Sequence, residues 1–300
     1  IPPVGNSACR DPLGGMMLRR LRVYLSFVRF SHSAFALPFA LAGALLAAQH
    51  VAVSLRAGIW IVVAMVAARS AAMGFNRIID ARFDALNPRT AHRELPQGVM
   101  TRREAVIFVV VASVTFVFAA WQLNPLCFLL SPVALAIVFW YSLAKRFTTW
   151  TQLFLGLAMA VAPVGGWLAV GGRGGWEPWL LAAAICMWVG GFDVLYACQD
   201  IDFDRAHGLQ SIPVRFGVPV ALRISRAMHV VTTLCLLALA LVTPLGSRYL
   251  FGVAVVAGLL AYEQSLVRAE DLSQVKRAFD LNGYVGLLYL AVLASAIYGR

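Results

Sequence analysis

Long apolar stretches alternate along the chain with short connections rich in Arg, Asp, Asn and Gly. A helix that crosses a bilayer needs about 20 apolar residues at about 1.5 Å rise each. Nine stretches approach that length: 33–53, 57–75, 105–122, 126–143, 151–170, 178–197, 227–245, 249–267 and 281–299. Only Asn124-Pro125 separates the third from the fourth. The pattern predicts an all-α polytopic membrane protein with nine transmembrane helices in one bundle; the acidic residues at the ends of the second and sixth stretches add the expectation of a central cavity open to the cytoplasmic side.

Composition agrees. Hydrophobic residues make up 61% of the 300 and charged residues 13%. A soluble domain is about a quarter charged, and half that fraction does not cover a water-facing surface of this size. A water-soluble globule, a disordered chain and a disulfide-framed secreted module are excluded. The five cysteines show no CxxC spacing and read as small apolar packing residues.

A net charge of +11 would suit nucleic acid, but its distribution argues otherwise. The basic residues cluster between apolar stretches on one side: Arg10, Arg19, Arg20, Arg22 and Arg29, then Arg77 to Arg103, then Lys145 and Arg146, Arg205 to Arg226, and Arg268 to Arg277. Arg56, Arg173, Arg248 and Arg300 fall on the other side. Such asymmetry marks cytoplasmic loops, so an integral multi-pass protein with a cytoplasmic N-terminus is expected, and no nucleic-acid partner. Residues 1–17 read as a disordered N-terminal extension, with Met16 or Met17 as the expected start. Residues 18–300 read as one transmembrane domain, entered through an interfacial helix over 18–30.

The few acidic residues concentrate at two places, at the ends of the second and sixth stretches. In the first, Asn76, Asp80 and Asp84 recur every four residues; in the second, Tyr196, Asp200 and Asp204 do, with Asp193 upstream. On a continuing helix each set forms one stripe. Stacked carboxylates repel each other near a membrane, and a divalent cation relieves that repulsion. Oxygen donors without His or Cys favour Mg2+, which commonly bridges carboxylates to substrate phosphates.

These motifs resemble the UbiA family of intramembrane prenyltransferases. The first is similar to that family's NDxxDxxxD pattern, read here as Asn76, Arg77, Asp80 and Asp84, with Arg77 where many members carry Asp. The second is similar to its DxxxD with preceding Tyr and Asp. The stretches YSLAKRFT (141–148), RTAHRELPQG (89–98) and FSHSAFALPFALAGALLA (30–47) also look like the family, on its 4-hydroxybenzoate polyprenyltransferase-like or menaquinone-pathway branch. The resemblance implies Mg2+-dependent transfer of a polyprenyl group from polyprenyl diphosphate to the ring of a hydroxyaryl carboxylic acid, benzoate- or naphthoate-like, in ubiquinone or menaquinone biosynthesis. It implies Asp80, Asp84, Asp200 and Asp204 as catalytic metal ligands, with Asn76 beside them, and Asp193, Tyr141 and Tyr196 at the substrates.

Other positions stay open between two roles. Lys145 is a diphosphate contact or a membrane-side anchor, and Arg82, Arg89 and Arg93 contact diphosphate or order their loop. Arg29 and His32 enter the first stretch, at a substrate or at the boundary, while His50, His92 and His229 show no metal spacing. Arg69 is the one cation inside a span, and an Arg at helix centre costs about 2.5–3.5 kcal/mol on the insertion scale, so a polar cavity is expected there. It shares a helical face with Asn76 and Asp80 and sits about 16 Å deeper than Asp80. An aromatic carboxylate, a diphosphate or a helix–helix pairing would satisfy it. Competing functions are prenyl transfer to a haem or chlorophyll-type acceptor, a cation-coupled transporter, and a CDP-alcohol phosphatidyltransferase, whose glycine-spaced motif is missing.

Overall fold

The structure, a computed structural model, describes residues 20, 23, 24, 26–28 and 36–299. The expected extension 1–17, most of the interfacial helix, Arg29 and His32 lie outside the described residues. The helices are α1 (Leu37–Ala47), α2 (Leu55–Leu86), α3 (Arg102–Leu123), α4 (Pro125–Ala144), α5 (Thr151–Ala169), α6 (Glu177–Ala197), α7 (Ile201–Ala206), α8 (Ile212–Phe216), α9 (Val218–Val242), α10 (Gly246–Leu266) and α11 (Val275–Tyr298). Among the described residues, eight helical segments are long and apolar enough to cross a membrane. Of the first expected stretch, the described residues hold the 11-residue α1, and residues 33–35 lie outside the described residues.

Local chemistry fixes the boundaries. Ser54 caps α2, its hydroxyl accepting from Ala57 N at 3.1 Å. Thr101 and Glu104 form a reciprocal capping box at the start of α3. Asn124, in extended backbone with φ −168°, ends α3 and caps α4 by accepting from Cys127 N at 2.9 Å. Its side-chain amide donates to Leu168 O at 2.8 Å, so this two-residue joint is pinned to α5.

The helices form a ring in which α2, α3, α4, α5, α6, α9, α10 and α11 pack successively, and α1 closes it between α11 and α2. α1 also lies against α5, at two glycines. A Cβ at Gly43 would collide with Pro163 O, and one at Gly166 with Ala40 O, so both crossings need bare backbone. The core gathers Phe39, Trp167, Trp188, Tyr249 and Tyr289 among aliphatic side chains. Its polar edges are paired: Trp188 Nε1 donates to Asn282 Oδ1 at 2.6 Å, and Tyr249 OH donates to Leu236 O at 3.1 Å. α3 and α4 leave Val111, Val114, Trp121, Leu129 and Val133 exposed, an apolar outer face suited to lipid.

Candidate active site

α2 has 32 residues, about 48 Å at helical rise, against a hydrocarbon core of about 30 Å. Its C-terminal turns therefore extend past the apolar layer and carry Asn76, Asp80 and Asp84 on one face. Pro88 ends the run, because the residue before proline is driven into extended backbone; Asn87 has φ −90° and ψ 117°. Asn87 Oδ1 accepts from Arg89 N at 2.9 Å, and Thr90 Oγ1 donates to Asp84 O at 3.1 Å. The first shapes the turn after Pro88, and the second holds the start of the 87–98 segment against the end of α2.

The second motif departs from the expected uninterrupted helix. α6 ends at Ala197, a 3-10 turn covers Cys198–Asp200, and α7 resumes at Ile201. Asp193, Tyr196, Asp200 and Asp204 nevertheless share one cavity with Asn76, Asp80 and Asp84, of about 250 Å3. Asp202 points outward and is exposed.

Cations approach most of these carboxylates. Lys145 Nζ donates to Asp80 Oδ2 at 2.7 Å, and Arg146 Nη2 reaches Asp80 Oδ1 at 3.4 Å and Ile79 O at 2.9 Å. Arg93 Nη1 donates to both oxygens of Asp84 at 2.7 and 2.8 Å. Arg89 grips Asp200 in bidentate fashion through Nε and Nη2, and its Nη1 donates to Tyr196 OH at 2.5 Å. Asn87 Nδ2 adds a bond to Asp200 Oδ1 at 3.3 Å. Burial works against the charge of Arg89, but Asp200, with help from Tyr196, raises its hold on the proton above the ordinary arginine value. Asp193 and Asp204 make no ion pair among the described residues.

The donor set suits a hard divalent cation: aspartate oxygens from both motifs and the amide oxygen of Asn76 line one small cavity. Yet among the described residues no three His, Cys, Asp or Glu side chains converge closely enough to hold an ion by themselves. A cation here needs further oxygen ligands, as Mg2+ does when it keeps waters or bridges to phosphates.

Below the polar cavity lies a larger apolar one of about 640 Å3, and Tyr141 and Leu155 line both. Small side chains on α2 and α5, including Ala64, Ala68, Ala72, Ala158, Ala162 and Gly165, leave the space open. Val133, Leu157 and Trp179 line it and are themselves exposed, so the chamber is not sealed from the flank of the bundle. Arg69 lines this apolar chamber, with Nη1 3.9 Å from Met159 Sδ.

Of the residues singled out from sequence, Asn76, Asp80, Asp84, Arg89, Arg93, Tyr141, Lys145, Asp193, Tyr196, Asp200 and Asp204 meet in the polar cavity. Arg82 does not line it and is exposed. Arg77 is buried with Nε donating to Phe27 O at 3.4 Å, so the departure from the motif falls outside the cavity lining. His229 is buried against Gln264, its Nδ1 3.0 Å from the amide nitrogen. Sequence reasoning assigned no role to Arg146, Asn87 or Gln152. Asn87 belongs to the Asn-Pro-Arg-Thr run that continues the first motif, which was the available signal. Gln152, whose Oε1 accepts from Ile212 N at 3.3 Å, had none.

The family model for the UbiA prenyltransferase family matches residues 36–292. The chain is 32% identical over 230 residues to a 4-hydroxybenzoate octaprenyltransferase of Vibrio campbellii, covering 77% of this chain and 81% of that protein. The corresponding protein of Vibrio parahaemolyticus is 33% identical over the same shares. Among solved structures, a UbiA homolog from Aeropyrum pernix K1 superposes with a TM-score of 0.81 at 36% identity, over 88% of this chain and 97% of that one. A UbiA homolog from Archaeoglobus fulgidus bound to GPP and Mg2+ shares the fold, with a TM-score of 0.69 at 21% identity over 92% and 99%. A match spanning nearly the whole described bundle, on the same helical fold, makes this chain an integral membrane transferase of the UbiA prenyltransferase family.

Proposed function

We propose that the protein transfers a polyprenyl group from polyprenyl diphosphate to the ring of a hydroxyaryl carboxylic acid, 4-hydroxybenzoate or a dihydroxynaphthoate, in quinone biosynthesis. One observation carries the reading: a small acid- and cation-lined cavity continues past Tyr141 and Leu155 into a large apolar chamber in which Arg69 is the one guanidinium among the described residues. A molecule with a polyanionic head and a hydrocarbon tail matches the pair of spaces, and a carboxylate matches Arg69.

Asp80, Asp84, Asp200 and Asp204, with Asn76, would hold Mg2+, which when bound neutralises charge on the diphosphate. Lys145, Arg89 and Arg93 supply donors to the diphosphate oxygens as the allylic C–O bond breaks and both bonding electrons leave with the diphosphate. The carbon left behind is an allylic cation. A ring carbon of the acceptor, held by its carboxylate at Arg69, donates a π pair to form the C–C bond, and the ring then loses the proton at that carbon. Asp193 faces the cavity as an acceptor for that proton, and Tyr196 orients Arg89. The apolar walls keep out water, which would otherwise capture the cation. The basic connections beside the polar cavity support a cytoplasmic side for it.

The test is turnover by the purified protein in detergent micelles with labelled polyprenyl diphosphate and a panel of hydroxyaryl acids, with and without Mg2+. Label should enter one acid class only when Mg2+ is present. Folded protein that prenylates none of the acids would rule the reading out.

A further inference from the structure

The polar cavity is electrically suited to neither of its proposed occupants alone. Asp80, Asp84, Asp193, Asp200 and Asp204 line it against Arg89, Arg93 and Lys145. A diphosphate arriving by itself meets an excess of negative charge. A divalent cation arriving by itself finds Asp84 and Asp200 already engaged by guanidiniums and, among the described residues, no three acidic side chains converging to hold it.

From this we infer that Arg89 and Arg93 are coupling residues that make metal and diphosphate bind as one unit. The inference rests on the reading of the cavity as a metal–diphosphate site. In the free protein the two arginines occupy the carboxylates. When metal enters with diphosphate, Asp84 and Asp200 turn to the metal, and the released guanidiniums find phosphate oxygens within the same cavity. Metal without diphosphate strands two cations, and diphosphate without metal leaves the arginines tied to aspartate. Both arginines sit on the segment that Thr90 holds to the end of α2 by donating to Asp84 O, so the exchange moves side chains and leaves that anchorage in place. Arg89 also ties this segment to Tyr196 on α6, which links the exchange to both motifs.

Coupling of this kind is reciprocal, and such couplings typically amount to about 5–150-fold in affinity. The experiment measures Mn2+ binding to the detergent-purified full chain by electron paramagnetic resonance at buffered free metal, with and without an unreactive prenyl thiodiphosphate. Binding of the thiodiphosphate is measured separately with and without Mn2+. In the wild type each ligand should tighten the other by the same factor, of about tenfold or more. Arg89→Gln and Arg93→Gln should bind Mn2+ alone more tightly than the wild type and lose most of the enhancement. Arg89→Lys keeps the charge without the two-pronged grip and should fall between. Because the wild-type measurements stand without any variant, misfolding of a variant does not rescue the idea. Equal Mn2+ affinity with and without the thiodiphosphate, or a full enhancement in folded Arg89→Gln and Arg93→Gln, overturns the coupling and leaves the site reading intact. If Mn2+ does not bind the wild type under either condition, the site reading falls as well.

Discussion

Lys145, at the C-terminal end of α4, donates to Asp80 of α2 at 2.7 Å across 65 residues of sequence. Phe83 lies beneath its ammonium, with Nζ 5.8 Å from the ring centroid. The ammonium is thus held at the wall of the polar cavity, where the proposed diphosphate would meet it.

Replacing Lys145 with Met should remove that donor while keeping the length of the side chain. A hydrogen bond to a charged group contributes about 1.5–3 kcal/mol, so kcat/KM for the prenyl donor should fall roughly 10- to 150-fold. Steady-state kinetics with the acceptor saturating would show it, and an unchanged kcat/KM would place Lys145 outside the reaction.

Alanine at Asp80, Asp84, Asp200 or Asp204 should abolish turnover in protein that still elutes as a folded species. Asp202 is exposed and outside the cavity, so Asp202→Ala should keep turnover within a few tenths of the wild-type rate. Comparable losses at Asp202 and at the four lining residues would mean that position in the cavity is not what matters.

Arg69→Leu places an apolar side chain at the chamber wall, and a thermal melt beside the kinetics checks that the variant folds. The KM for the hydroxyaryl acid should rise by about tenfold or more, the usual loss when a charge-assisted bond disappears. Affinity for the prenyl donor should not move. A rise confined to the donor would instead assign Arg69 to the diphosphate.

Gly165 and Gly166 are neighbours with opposite expectations. A Cβ at Gly165 meets nothing within 4 Å and projects into open space at the chamber wall, whereas one at Gly166 strikes Ala40 O. Gly165→Leu should therefore fold and discriminate against long prenyl donors. Burying one CH2 is worth about 0.8 kcal/mol, so displacing a single isoprene unit costs more than tenfold in kcat/KM, with short donors spared. Gly166→Leu should lower the thermal midpoint in detergent without any such selectivity. Kinetics with donors of graded length, beside thermal melts, separate the two.

Much of this was readable from spacing. Asn76, Asp80 and Asp84 share a face because α2 continues unbroken, and the fourfold step of a helix announces it. The second motif was harder. Cys198–Asp200 forms a 3-10 turn although no Gly or Pro marks it, so the stripe drawn through Tyr196, Asp200 and Asp204 missed the interruption. The partners of the acids were less legible still. Arg93 with Asp84, Arg89 with Asp200 and Arg146 with Asp80 depend on how a loop folds back and how α4 meets α2, which no local pattern encodes. α2 extends well beyond its expected hydrophobic limit at residue 75, because one buried face sustains a helix whose other positions have turned polar.

The unsealed wall at Val133, Leu157 and Trp179 changes what substrate concentration means for this enzyme. A donor reaching the chamber from that flank arrives from a two-dimensional solvent, so the rate follows its mole fraction among lipids rather than its molarity in water. Adding inert lipid at fixed donor should slow turnover, while enlarging the aqueous volume should not. An acceptor that came instead from water through the polar cavity would be counted by its molarity, and the two substrates of one reaction would then obey different laws of dilution.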